Sequence, residues 1–419
     1  MRNNIQARIF TFLLALLLSF SDTPLLKGQT VESVPENQLK DSLATSSHFI
    51  HSFSMEVHDG YIFPTKSFFN RDNELSKNIN NSFSTHFKYA FQFRPNTLPG
   101  KIYGEPYQGI GLAYHMFGDK EELGNPITFY LFQGATLGHL SPRISLNYEW
   151  NLGLSTGWKP YDLYENPYNK IIGSKVNAYI DLNFYLRWKL SRYFDLNSGI
   201  AFNHFSNGNT DYPNAGLNTA ELKIGLVYNF NRTESTPAKP RYLLSPVPLF
   251  PRHISYDLVL FGSWKRKGVQ FGDEQVLAPD KYTVLGFNFA PMYNFGYRFR
   301  AGVSLDGTYD SSANVYTEDY IGGTEQEFFK PAFNRQVALG LSGRAEYVMP
   351  YFSINAGLGV NVFHKGHDLN DVYQILALKI KMTRNTFLHI GYSIKNFHNP
   401  NHLMLGIGFR FNNKYPSIH

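Results

Sequence analysis

The 419-residue chain contains no cysteine. That excludes a disulfide framework, thiol chemistry and lipid attachment through a cysteine. Long apolar runs are scarce too. One run, 9–20 in "MRNNIQARIFTFLLALLLSF", follows Arg2 and Arg8 and is too short to span a bilayer comfortably. It reads as a secretory signal peptide, placed at residues 1–29, with cleavage inside "SDTPLLKGQT" and a linker over 30–47. No later run reaches about 18 apolar residues, so the mature chain is expected to have no membrane-spanning helix.

What the chain does have is aromatic residues, 16% of the total with 28 Tyr and 36 Phe. A transmembrane β-barrel needs such residues for its interfacial girdles and alternates apolar with polar along each strand. A soluble β-sandwich is the alternative that composition leaves. The net charge of +6 suits contact with anionic lipid. It is spread along the chain, so it gives no argument for nucleic acid.

The stretch "KVNAYIDLNFYLRWKL" puts Val176, Ala178, Ile180, Leu182, Phe184, Leu186, Trp188 and Leu190 on one face, with Asn177, Asp181, Asn183, Arg187 and Lys189 on the other. At about 16 residues this exceeds most soluble strands and suits a tilted barrel strand with lipid outside and a polar lumen. The same alternation recurs in "AELKIGLVYNF". Read this way, the fold is all-β, a transmembrane antiparallel β-barrel with roughly eight strands over 48–230 and eight more over 253–412. Short connections ("LSPR", "SRY", "NFGY", "MPYF", "TRNT") alternate with long polar loops at 118–125, 156–170, 207–217, 265–280, 308–333 and 365–371. Outer-membrane barrels sort their loops by parity in this way. A Pro-rich connector over 231–252 separates the halves, and a tail follows at 413–419. Local pattern does not distinguish one large barrel from two small ones.

The segment "AFNHFSNGNTDYPNAGLN" (201–218) interrupts this plain pattern. Residues i and i+2 of a strand share a face, so His204 and Ser206 are neighbours, as a base and a nucleophile must be. Parity assigns both to the apolar, lipid-facing wall, with Asn218 at the start of the next strand. Unpaired polar groups in hydrocarbon cost several kcal/mol each, so three together ask for a function. His204 as base, Ser206 as nucleophile and Asn218 as orienting amide would make an acyl-enzyme. Asn207, Gly208 and Asn214 are candidate oxyanion donors, and Gly208 and Gly216 allow positive φ. An ordinary polar hairpin loop is the alternative. Elsewhere "HKGH" (364–367) reads as a solvated pair and not a metal site.

At His204, Ser206, Asn207, Pro213, Asn214 and Gly216 the sequence resembles the lipid A 3-O-deacylase (PagL-like) family of outer-membrane barrels. The likeness covers roughly residues 100–230. "GWKPYDLYENPYNKIIGS" (157–174) is similar to a loop of longer members called acyloxyacyl hydrolases, and it is expected to close over the site. The resemblance implies an eight-stranded barrel of the Gram-negative outer membrane that removes an ester-linked 3-hydroxyacyl chain from lipid A of lipopolysaccharide, with no cofactor. The family has glutamate where this chain has Asn218. Asn218 instead resembles the outer-membrane phospholipase A family, in which the place of Asp211 holds calcium; a calcium-dependent phospholipase is thus one alternative and a non-catalytic porin-like barrel another. Laying "GIAFNHFSN" on "GYSIKNFHN" puts Asn396 and His398 at the places of His204 and Ser206, so residues 253–412 are expected to carry no site. Whether the protein forms a homodimer stays open.

Overall fold

The computed structural model describes residues 49–232, 247–271, 274–318, 326–397 and 399–416. The expected signal peptide and linker, residues 233–246 of the connector, and His398 lie outside the described residues. Strand alternation dominates the chain, and the strands close into two separate eight-stranded antiparallel barrels.

The first barrel comprises β1 (Phe49–Phe63), β2 (Asn81–Phe93), β3 (Tyr107–Met116), β4 (Gly124–Ser141), β5 (Ile144–Trp158), β6 (Val176–Lys189), β7 (Phe194–Ser206) and β8 (Leu217–Asn229). It closes by pairing β1 with β8, Phe53 against Tyr228 and Tyr61 against Ala220. After β9 (His253–Lys265) comes the hairpin β10 (Gly268–Phe271) and β11 (Glu274–Leu277), then β12 (Tyr282–Asn294), β13 (Phe299–Asp310), the short pair β14 (Tyr316–Thr317) and β15 (Phe328–Phe329), and finally β16 (Val337–Val348), β17 (Phe352–His364), β18 (Val372–Lys381), β19 (Thr386–Lys395) and β20 (Asn399–Phe411). Pairing of β20 with β9 closes the second barrel, Ile407 against Leu260. Two barrels, and not one large one, follow from these two closures.

Alternation sets the faces. On β6, Asn177, Tyr179, Asp181, Asn183 and Tyr185 are buried in the lumen, while Val176, Ile180, Leu182 and Phe184 are exposed on the wall. The lumens are packed with paired charges, because an unpaired buried charge is strongly destabilising. In the first barrel Lys88 bridges Glu149 at 2.5 Å and Glu56 at 3.3 Å, and Lys223 lies 3.0 Å from Glu56. In the second, Asp257 meets Arg410 at 2.8 Å and Lys379 at 2.9 Å. A cavity of about 30 Å³ among Glu56, Lys88, Glu149 and Arg187 remains in the first lumen.

The long loops gather at one end of each barrel and the short turns at the other, except that β19 and β20 are joined at the loop end by only three residues. One turn-end connection departs from the short pattern: β2 and β3 are joined through the helix α1 (Leu98–Tyr103), capped by Thr97 Oγ1 accepting from the Gly100 N–H at 3.2 Å and ended by Gly104 at φ 76°. This helix gives the two barrels a contact at the turn end, where Ile102 and Tyr103 pack with Tyr297 and Arg298 Nε donates to the Ile102 carbonyl. From the middle of β5, Trp150 packs on Phe352, Leu378 and Ile380 beside the turn end of the second barrel. A third contact, at the loop end, falls on the 207–216 loop.

At that end the first barrel is sealed from inside. Phe117, Trp158, Tyr179, Phe205 and Leu217 from the strands and their ends meet Phe68 and Phe69 of the β1–β2 loop and Ile171 and Ile172 of the β5–β6 loop, all essentially inaccessible to solvent. The last strand turns before the loop therefore stand on a solid core.

Candidate active site

β7 is extended through Ser206, so His204 and Ser206 project from one side of it. Register places His204 between Ile180 of β6 and Asn218 of β8, and Ser206 opposite Ala178. His204, Ser206 and Asn218 are each half-buried on the outer wall at the loop end. His204 Nε2 lies 3.0 Å from Ser206 Oγ, and its Nδ1 lies 2.7 Å from Asn218 Oδ1. A carboxamide oxygen can only accept, so Nδ1 carries the proton. Nε2 then offers its lone pair to the Ser206 hydroxyl. Exposed Phe63, Val176, Ile180 and Phe202 surround the group, a wall suited to hydrocarbon chains.

The loop that joins β7 to β8 is shaped by two glycines and an asparagine pair. Gly208 and Gly216 have φ of 65° and 73°, a region that residues with a Cβ seldom occupy. At Gly216 a Cβ would also lie 3.1 Å from His204 Cε1. Its carbonyl accepts from Thr65 Oγ1 at 3.0 Å. Asn207 donates its backbone N–H to Asn214 Oδ1 at 3.0 Å and its carboxamide Nδ2 to the Asp211 carbonyl at 3.1 Å.

Asn207 is buried, and its backbone N–H and one hydrogen of its carboxamide are engaged within the loop, where they shape the turn. The Gly208 N–H, by contrast, has no hydrogen-bond partner among the described residues. Asn214 is held in place by the Asn207 bond and by a bridge to Ile172.

The β5–β6 loop was expected to close over the site. It instead turns inward. Ile171 and Ile172 are buried in the lumen core, and the Ile171 carbonyl accepts from the Gly216 N–H at 3.4 Å, so the loop braces 207–216 from behind. Asp211 faces a cation of the protein itself: Arg266 Nε lies 3.0 Å from its Oδ1. Among the described residues no group of three or more His, Asp or Glu is arranged to hold a metal ion.

Residues 56–227 match the family described as Lipid A 3-O-deacylase (PagL), and residues 254–413 match the acyloxyacyl hydrolase C-terminal domain. The chain belongs to the PagL-like family. It is therefore a membrane-embedded barrel of a family of hydrolases acting on lipid A, and the Gram-negative outer membrane is where such barrels sit. No protein of curated function matches it. Among solved structures, Neisserial surface protein A is 11% identical, with 44% of this chain and 98% of that one covered at a TM-score of 0.28. The siderophore receptor PirA from Pseudomonas aeruginosa is 8% identical (86% and 80% covered, TM-score 0.23). Omp33 from Acinetobacter baumannii is 10% identical (87% and 99% covered, TM-score 0.16).

Four residues touching the PagL-like site loop come from the second barrel. Asn209 Nδ2 lies 3.3 Å from the Pro400 carbonyl and 3.4 Å from that of Asn401, the Arg266 N–H donates to the Asn209 carbonyl at 3.0 Å, and Leu403 covers Gly208. Sequence reasoning missed them. They lie beyond the connector, Arg266 just after β9 and the others at the start of β20, and no local pattern in either half refers to the other.

Proposed function

We propose that this chain is a serine esterase that removes an ester-linked 3-hydroxyacyl chain from lipid A. The observation that carries the reading is the pair of contacts on one imidazole, 3.0 Å to Ser206 Oγ and 2.7 Å to Asn218 Oδ1, made on a lipid-facing wall. Ser206 Oγ attacks the ester carbonyl carbon while His204 Nε2 takes its proton. The tetrahedral oxyanion is met by the Gly208 N–H, with the Asn214 carboxamide beside it. Collapse breaks the bond to the sugar oxygen, which leaves with the proton held by His204. Water then gives a proton to His204 and its oxygen to the acyl carbon; the fatty acid departs and Ser206 regains its hydrogen. Asn218 keeps the ring in the required tautomer but brings no charge to the imidazolium.

The outer wall gives the substrate its direction. A lipid in the outer leaflet presents its acyl chains to Phe63, Ile180 and Phe202 and its headgroup region to the loops, so the ester stands at the depth of Ser206.

Asn218 keeps a second reading in view, a calcium-dependent phospholipase. Against it, Arg266 stands beside Asp211 where that reading needs a metal. The decisive experiment is mass spectrometry of lipid A and phospholipid incubated with detergent-folded protein, with and without a calcium chelator. Loss of one hydroxyacyl chain from lipid A, unaffected by chelation, supports the deacylase. Fatty acid released only from phospholipid and stopped by chelation overturns it.

A further inference from the structure

We propose that the second barrel acts as a clamp that positions the catalytic loop, with Arg266 and Leu403 as positioning residues for the acyl transfer at Ser206. The inference rests on the esterase reading and adds a task for residues 253–412, where the sequence leads us to expect no site.

Three contacts of different kind converge on residues 208–211. Leu403, near the start of β20, lies over Gly208: a Cβ there would be 2.7 Å from its Cδ2 and Cγ. The backbone of Asn209 is held by the Arg266 N–H at 3.0 Å, and its side chain reaches the carbonyls of Pro400 and Asn401. The Arg266 guanidinium pairs with Asp211 at 3.0 Å, both side chains being about 30% exposed. The pair is thus more shielded than an ordinary surface ion pair, and it is accompanied by a backbone hydrogen bond from the same residue.

The consequence is geometric. The segment starts two residues beyond Ser206 and includes the Gly208 N–H assigned to the oxyanion. Gly208 sits at φ 65°, and a glycine left to itself samples many conformations. From within the first barrel the loop is braced at its far part, through Ile171 and Ile172 against Asn214 and Gly216. Its near part, 208–211, takes its outside contacts from the second barrel. The remaining inter-barrel contacts at Trp150 and at α1 fix the second barrel in place, so the clamp is anchored away from the site.

The test is steady-state hydrolysis of lipid A by the full chain folded in detergent. Arg266→Asp and Asp211→Arg alone are expected to lower kcat about tenfold or more, a misplacement of about 1 Å sufficing for losses up to 10²-fold, with KM within about twofold of wild type. The combination Arg266→Asp with Asp211→Arg recreates the ion pair reversed and is expected to restore most of kcat. Leu403→Ala, which removes no charge, is expected to lower kcat by a smaller factor and serves where charge reversal prevents folding. Lys330→Ala, in the exposed Lys330–Asp280 pair of the second barrel, should leave kcat unchanged. Wild-type kcat in both single reversals and in Leu403→Ala overturns the proposal, as does a double reversal no better than the singles or a rise confined to KM. If Ser206→Ala retains wild-type turnover, the esterase assignment itself fails; if Ser206→Ala is inactive while the clamp variants are wild type, the clamp alone fails.

Discussion

His204 and Asn218 face each other directly across the β7–β8 ladder, and the ring donates through Nδ1 to the amide oxygen at 2.7 Å. The amide orients the imidazole but supplies no negative charge as His204 takes up the Ser206 proton. Asn218→Asp is therefore expected to raise kcat several-fold, a carboxylate within hydrogen-bond reach favouring the imidazolium. Asn218→Ala is expected to lower it by roughly a hundredfold, the low end of what general-base catalysis contributes, because the base itself remains. Steady-state rates on lipid A check both; a faster alanine variant would contradict the role given to Asn218.

Gly216 stands where backbone and ring compete for space. Alanine there would occupy φ 73° and bring a Cβ to 3.1 Å from His204 Cε1. The left-handed conformation costs about 1–2 kcal/mol, which a closed barrel tolerates, but the ring must tilt away from Ser206. Gly216→Ala is expected to fold and to lose about tenfold in kcat. Activity equal to wild type would show that the ring has room to spare.

Much of this was legible in the sequence. The alternation of Val176 to Trp188 fixed which face of β6 meets lipid, and loop parity sorted the two ends, because both depend on neighbours close in the chain. The His204–Ser206 spacing is likewise a local fact of strand geometry. Whether β8 returns to β1 or continues to β9 is not local, since the outward face of β8 reads the same in either case. The inward turn of Ile171 and Ile172 and the reach of Arg266 and Leu403 to the site loop depend on tertiary packing for the same reason. Asn207 shows the limit at a single residue: its amide chemistry suits an oxyanion donor, and only the fold shows that its backbone N–H and one side-chain hydrogen are engaged by Asn214 and the Asp211 carbonyl.

Chelation is expected to leave lipid A turnover unchanged, because Arg266 neutralises Asp211. Asp211→Asn, which removes the charge from the ion pair, is expected to lower kcat without restoration by added calcium. Rates measured across a calcium titration check this, and recovery of the variant in calcium would contradict it.

Side-chain packing also bears on the porin alternative. The first lumen is crossed by the Lys88–Glu149 and Lys223–Glu56 pairs and sealed above by Phe117, Trp158 and Phe205. Single-channel recording in planar bilayers is expected to show no stable conductance from the folded protein. Regular conductance steps would mean that ions pass through a barrel whose described interior leaves them no path.

The most direct test of the central claim is covalent trapping of the nucleophile. Detergent-folded protein is treated with a long-chain alkyl phosphonate ester reactive toward activated serine, digested and sequenced by mass spectrometry. The adduct is expected on Ser206, and is expected to be lost in His204→Ala, which keeps the serine but removes its base. An adduct on another residue, or equal labelling of Ser206 without His204, would contradict the assignment of this pair as the reacting centre.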